Sequence, residues 1–242
     1  MTVIGYWGAY PEKNEATSCY LIEGKNTKIL LDLGSGALSK LLNLVEGKDI
    51  DGVFISHYHP DHIADVGVFH HLMLINKISN KREKPVYMFG LSMDQFSTLG
   101  YKDIALPHAI SQGVVIELGE FQVEFCEGEH PLISVAIKVK EKTTGKTIVY
   151  TGDTAYSERL VDFSKGSELL IGECSLYKSE KGAVKGHMCS TEVGDMARRA
   201  GIKKLLLTHL PHHGNIKNLA EEVKEVYKGE VILAAFKVII DL

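Results

Sequence analysis

The stretch Gly52-Val53-Phe54-Ile55-Ser56-His57-Tyr58-His59-Pro60-Asp61-His62 sets an apolar run directly against three histidines and an aspartate. Imidazole nitrogen and carboxylate oxygen are the donors that a borderline divalent ion takes. Placed at the end of a buried strand, they can hold an ion without distorting a core, so residues 57–62 read as a metal-binding loop. A solvated polar turn is the bland alternative. Behind the loop, Ile63, Val66, Phe69, Leu72 and Met73 continue at spacings of three and four towards Ile78. This predicts that the loop runs straight into one long helix whose amino end faces the site. His70 and His71 lie too far along that helix to reach its start, and read as packing or surface residues.

Upstream, residues 2–7, 18–23 and 28–33 form a meander of strands, with Gly24-Lys25-Asn26 turning between the last two. Asp32-Leu33-Gly34-Ser35-Gly36 then bends the chain into a helix marked by Ala37, Leu38, Leu41, Leu42 and Val45. Asp32 ends an apolar strand beside glycines. It reads either as an acceptor that supports the metal loop or as a turn and cap residue.

Downstream, Lys81-Arg82-Glu83-Lys84 reads as a solvated loop, residues 85–89 as a strand, and Ser92-Met93-Asp94-Gln95 has the spacing of a helix capping box. From Gly113 the period changes to two, predicting antiparallel strands over 115–118, 121–126, 133–139 and 147–150. His130 falls in a loop between two of these; alone it would be an ordinary loop histidine. The last third alternates helix and strand. Ser190 is placed to cap a helix reaching Ala200, an apolar strand over 204–208 ends at His209, and a helix over 216–227 precedes the terminal strand. No linker, repeat or low-complexity segment divides residues 1–242, which predicts a single α/β domain with two sheets between layers of helices.

Composition narrows the function. An apolar fraction of 45% and a net charge of -4 suit a globular protein and argue against a long polyanion as main partner, since that needs clustered Lys and Arg. The four cysteines, Cys19, Cys126, Cys174 and Cys189, form no close pair, so reduced and mostly buried thiols are expected. Residues 1–10 show no leader pattern and no apolar run is long enough for a bilayer, which gives a cytoplasmic expectation with no membrane partner.

With His57-Tyr58-His59-Pro60-Asp61-His62 after a strand, a lone His130, Asp153 in Tyr150-Thr151-Gly152-Asp153-Thr154 and His209 in Leu205-Leu206-Leu207-Thr208-His209-Leu210, the chain resembles the metallo-β-lactamase superfamily over nearly its whole length. The resemblance implies a four-layer αββα sandwich with two divalent metal ions at one edge, zinc being the first expectation and manganese or iron the others. Matched residue by residue, it implies that His57, His59 and His130 hold one ion, Asp61, His62 and His209 the other, and Asp153 bridges them. Two such ions lower the pKa of a shared water and neutralise phosphoryl oxygens, and Asp61 is placed to orient that water or take its proton.

Glu173 in Ile171-Gly172-Glu173-Cys174-Ser175 and His187 in Gly186-His187-Met188-Cys189-Ser190 are similar to the carboxy-terminal half of ribonuclease Z and its phosphodiesterase relatives. There such a pair protonates the leaving oxygen, which implies His187 as general acid and Glu173 as its orienting partner. The chain departs from ribonuclease Z in two places. Residues 131–152 leave no room for a tRNA-gripping arm, and Leu210-Pro211-His212-His213 follows His209 where ribonuclease Z carries other polar residues. His212 and His213 are expected in a surface loop. The expected function is therefore a metal-dependent hydrolase of a small phosphodiester, a cyclic nucleotide or short oligonucleotide, with a homodimer left open. Hydrolysis of an ester, thioester or lactone, a ribonuclease Z-like activity and a non-catalytic metal-binding scaffold are the alternatives.

Overall fold

The computed structural model describes residues 1–241. Its first half runs β1 (Thr2–Gly5), β2 (Cys19–Glu23), β3 (Lys28–Leu31), α1 (Ala37–Leu41), β4 (Gly52–Phe54), α2 (Pro60–Ile63), α3 (Val66–Ile78), β5 (Val86–Leu91) and β6 (Ala105–Ile110). These six strands form one sheet in chain order. The second half runs β7 (Val115–Leu118), β8 (Phe121–Glu127), β9 (Val135–Glu141), β10 (Thr147–Tyr150), α4 (Glu158–Ser164), β11 (Leu169–Glu173), α5 (Ser190–Ala200), β12 (Lys204–Thr208), α6 (Lys217–Val226) and β13 (Glu230–Leu233). Its seven strands form the other sheet, again in chain order. This is the mixed α/β, two-sheet architecture expected.

Both sheets follow one plan. Each begins as an antiparallel meander, β1 to β3 and β7 to β10, and ends in parallel strands reached through crossovers. Sequence periodicity changes with the pairing. β8 alternates buried and half-buried residues, as a strand with one inner face should, whereas β11 is buried along its whole length beneath α5. The sheets meet through aromatic rings. Phe54 of β4 stacks on Phe89 at 4.3 Å and lies 6.2 Å from Phe125 of β8, and Tyr20 of β2 lies 4.9 Å from Tyr150 of β10.

Three local expectations are corrected, and one strand is added. The helix behind the metal loop is two helices, because Asp65 turns the chain: its N–H donates to the Leu33 carbonyl at 3.2 Å and its carboxylate accepts from the Leu38 N–H at 2.8 Å. Ser92 to Gln95 do not cap an α-helix; a 3-10 helix runs over Asp94–Leu99 with Met93 at its cap position and no side-chain cap. Ser190 is the first residue of α5 rather than its cap. Cys189 precedes it, with its N–H bonded to Glu192, while the Ser190 hydroxyl donates to Glu222 on α6. β6 was not anticipated: Pro107 and an exposed middle mark an edge strand, where a missing N–H costs no ladder bond.

The parallel halves position the site. In open α/β sheets, ligands gather beyond the carboxyl ends of parallel strands. Here Asp32 follows β3, His57 follows β4, Asp153 follows β10, Glu173 ends β11 and His209 follows β12. Phe54, wholly buried one turn before the metal loop, ties that rim to the core. Phe54→Ala is expected to lower stability by about 3–5 kcal/mol, read as a lower urea midpoint at unchanged slope.

Candidate metal centre

The His57–His62 loop is held from behind by Asp32. This wholly buried carboxylate accepts from the Ser56 N–H at 2.7 Å and the Ser56 hydroxyl at 2.8 Å, from Tyr150 Oη at 2.8 Å, and from His62 Nδ1 at 2.6 Å. His62 is thereby fixed with Nε2 facing the site. The same device recurs: His130 Nδ1 donates to the Leu132 carbonyl at 2.8 Å, and His209 Nδ1 lies 2.8 Å from Ser175 Oγ. In each ring one nitrogen is spent on orientation, leaving the other to serve as a candidate ligand. Gly34 allows the loop to seat. A Cβ there would lie 2.0 Å from the Asp61 carbonyl oxygen and 2.2 Å from Thr17 Oγ1.

The rim brings together all seven residues matched from the sequence. His57, His59, His130 and Asp153 form one group, and Asp61, His62, Asp153 and His209 a second, the donor atoms of each group lying within 4.8 Å of one another. Asp153 belongs to both. His57 Nε2 is 3.1 Å from His59 Nδ1, an approach of two ring nitrogens that a cation between them would relieve. Asp153 Oδ2 is 3.2 Å from His209 Nε2 and 3.6 Å from His57 Nε2. His62 Nε2 and Asp153 Oδ1 are buried without a hydrogen-bond partner. The two atoms lie 3.3 Å apart without a hydrogen bond between them, and polar atoms buried in that way are costly unless a group such as a divalent ion satisfies both.

Electrostatics agree with that donor set. Burial opposes charge on Asp153, but His209 and His62 outweigh it and hold the carboxyl well below its usual range. Burial likewise opposes charge on Asp61, and the neighbouring His209 and His62 imidazoles overcome it and lower the carboxyl. His57 is pushed well below the usual imidazole value by burial and by its neighbour His62. His209 is pulled down by burial, yet Asp153 and Asp61 raise it to about 10. A proton on His209 thus balances the carboxylates where a metal ion would otherwise do so.

Glu173, His187 and His209 form a third close group of donors, but its atoms are already spent. Glu173 Oε1 accepts from His187 Nδ1 at 3.0 Å and from the Thr154 N–H at 3.2 Å, while Oε2 accepts from the Ser175 N–H at 3.2 Å and the Ser175 hydroxyl at 2.8 Å. A saturated carboxylate orients an imidazole rather than binding an ion. His187 stacks at 5.4 Å on His209 and is part-exposed, with Nδ1 spent on Glu173.

The metallo-beta-lactamase superfamily model matches residues 13–234. The chain belongs to that superfamily. It is 39% identical over 236 residues to the probable metallo-hydrolase YhfI of Bacillus subtilis, covering 97% of this chain and 96% of that protein. The YhfI crystal structure superposes with a TM-score of 0.94, covering 98% of this chain and 96% of YhfI. Ribonuclease Z of Archaeoglobus fulgidus is 22% identical over 294 residues, covering 98% and 95%. The short form of human tRNase Z, 19% identical, shares the fold with a TM-score of 0.75, covering 99% and 98%. Within this superfamily of metallo-hydrolases the chain carries no tRNA arm: only β9, a turn and β10 lie between His130 and Asp153.

Reading the superfamily's side chains left several contributors unseen. Ser56 and Tyr150 complete the Asp32 cradle, and Ser175 links Glu173 to His209. Ser175 was findable, two residues beyond Glu173. The amino-terminal loop was not, because it acts through its backbone: the Ala9 N–H donates to Asp61 Oδ2 at 2.8 Å, and Gly8 packs so closely that a Cβ would lie 2.8 Å from the His209 ring. His212 is not a free surface residue. Its ring lies between Tyr10 and Trp7, with Nε2 bonded to the Gly8 carbonyl at 2.8 Å; His213 is exposed and pairs with Glu180.

Removing divalent metal with a chelator is expected to lower the melting temperature, and restoring it to recover the loss, as mass action requires of a ligand that binds only the folded state. Asp32→Asn would turn an amide N–H towards a donor. Competition against a fluorescent chelator is expected to show metal affinity reduced roughly 10–100-fold.

Proposed function

We propose that this chain is a phosphodiesterase acting on a small phosphodiester, such as a cyclic nucleotide or short oligonucleotide, for which two divalent ions would be held by the two donor groups that have Asp153 in common. The observation that carries the reading is the Glu173–His187 pair beside the cluster. An alkoxide leaves poorly, and a proton supplied at the departing oxygen removes that barrier. His187 is held for that task, its Nδ1 spent on Glu173 and its ring laid over His209. Zinc, manganese or iron in the two groups would be Lewis acids that activate water and neutralise phosphoryl oxygens.

The remaining roles fall to this chain's own residues. Asp61 Oδ2 accepts from the Ala9 N–H, which leaves its second oxygen to orient the attacking water. Beside His130 a cleft of about 440 Å³ is lined by Glu129, Pro131, Ala155, Lys185 and Gly186. The Lys185 ammonium gives that edge a cation for an anionic substrate. The short β9–β10 connection and the net charge of -4 favour a small substrate over a folded RNA.

Metal-loaded protein is expected to turn over bis(p-nitrophenyl) phosphate, and absence of activity with all three metals would sink the reading. His187→Ala is expected to lose about 100-fold or more on a diester with an alkoxide leaving group, in the usual range for a general acid, yet little on a nitrophenolate ester. Equal losses on both would remove His187 from this role.

A further inference from the structure

The loop that covers Asp61 and His209 carries an aromatic ring that neither the fold nor the cluster requires. Tyr10 is 55% exposed, and one of its faces lies on His212 at 3.7 Å and 7°. His212 is backed in turn by Trp7 at 5.0 Å and 20°. The stack is braced at both nitrogens of its middle ring, His212 Nδ1 lying 3.1 Å from Glu12 Oε1 and Nε2 2.8 Å from the Gly8 carbonyl. The turn that presents Tyr10 is held in an unusual backbone state. Ala9 has φ 59, and the Tyr10 N–H bonds back to the Gly8 carbonyl at 2.7 Å. A left-handed conformation is unfavourable for alanine, and strain of this kind persists where the surroundings over-determine it. Here they do: Gly8 lies on the His209 ring and the Ala9 N–H is bonded to Asp61.

We propose that Tyr10, outermost ring of the Trp7–His212–Tyr10 stack, is the platform on which the nucleobase of the substrate lies while its phosphate occupies the rim beside Asp61 and His209. The inference assigns the base-binding residue of the proposed phosphodiesterase and rests on that reading for the phosphate half. Three properties of the stack support it. A braced ring loses little freedom on binding, the free face of a phenol accepts any base, and its place in the chain, next to the residue bonded to Asp61, sets the base a short distance from the reacting phosphate. With one free π-face, the platform favours nucleosides over other alcohols and selects weakly among bases.

Trp7 is the only tryptophan, so its fluorescence reports on the stack without turnover. Titration of the metal-loaded full chain with AMP and with ribose 5-phosphate is expected to quench Trp7 with AMP, which binds about 10-fold the tighter of the two by virtue of stacking. In Tyr10→Leu the two ligands are expected to bind alike, with ribose 5-phosphate unchanged from wild type, and Tyr10→Phe to restore the preference. AMP binding no tighter than ribose 5-phosphate in the wild type, or Tyr10→Leu weakening both equally, would overturn the proposal. Because this readout needs no hydrolysis, it stays separate from the turnover test of the phosphodiesterase reading.

Discussion

Asp32 lies wholly inside the protein and takes four hydrogen bonds from three chain segments, Ser56 after β4, His62 in α2 and Tyr150 in β10. A carboxylate so buried is strongly unfavourable unless its lone pairs are filled, so each donor is held in place by the cost of leaving it unpaired. The donors come from both sheets. Their convergence fixes the spacing of the two carboxyl-end rims on which every candidate ligand stands. It also sets the ring of His62, and through α2 the start of the helix that brings Asp61 under Ala9. Asp32 itself has φ 57, a backbone state that a short polar residue tolerates better than an apolar one.

Above that cradle the electrostatic balance is unfinished. Two carboxylates and five imidazoles crowd a rim where burial disfavours charge, and the protein resolves only part of the problem through His209 and His62 against Asp153. Orphaned atoms at His62 and Asp153 mark where the hydrogen bonds run out. The scaffold thus gives up stability at the site that a divalent ion would return, which is the usual relation between a preorganised site and the fold that carries it.

How much of this was legible follows from where each signal lies. His130, Asp153 and His209 are assigned only through the resemblance to the superfamily, whereas the metal loop is visible because its chemistry is in its side chains and it follows an apolar strand. Asp32 could be suspected on the same ground, but Tyr150 could not, since its role depends on the second sheet crossing the first. The break between α2 and α3 was hidden for a related reason: Asp65 turns the chain through tertiary bonds to Leu33 and Leu38, while the apolar spacing runs on across the gap. β6 was hidden because an edge strand with an exposed middle shows no alternation. The loop at Gly8 and Ala9 was least visible, since a small side chain says nothing about an N–H aimed at a carboxylate.

The matching plans of the two sheets explain why the site divides its labour. In each, the antiparallel meander gives way to parallel pairing at a strand followed by an aspartate, β3 by Asp32 and β10 by Asp153. Asp32 is turned inwards and saturated by hydrogen bonds, so it can only orient. Asp153 keeps an unpartnered oxygen and can ligate. The next parallel strand in each sheet differs in the complementary way. β4 runs into the largely buried loop that supplies three imidazoles, whereas β11 ends at Glu173, which is saturated and orients His187. Each sheet therefore contributes one carboxylate that holds a histidine and further groups that face the rim. The rim between them draws four of its seven candidate ligands from the first sheet and three from the second, and in the proposed reading the proton donor comes from the second, where the saturated Glu173 keeps the His187 imidazole from being captured as a further ligand.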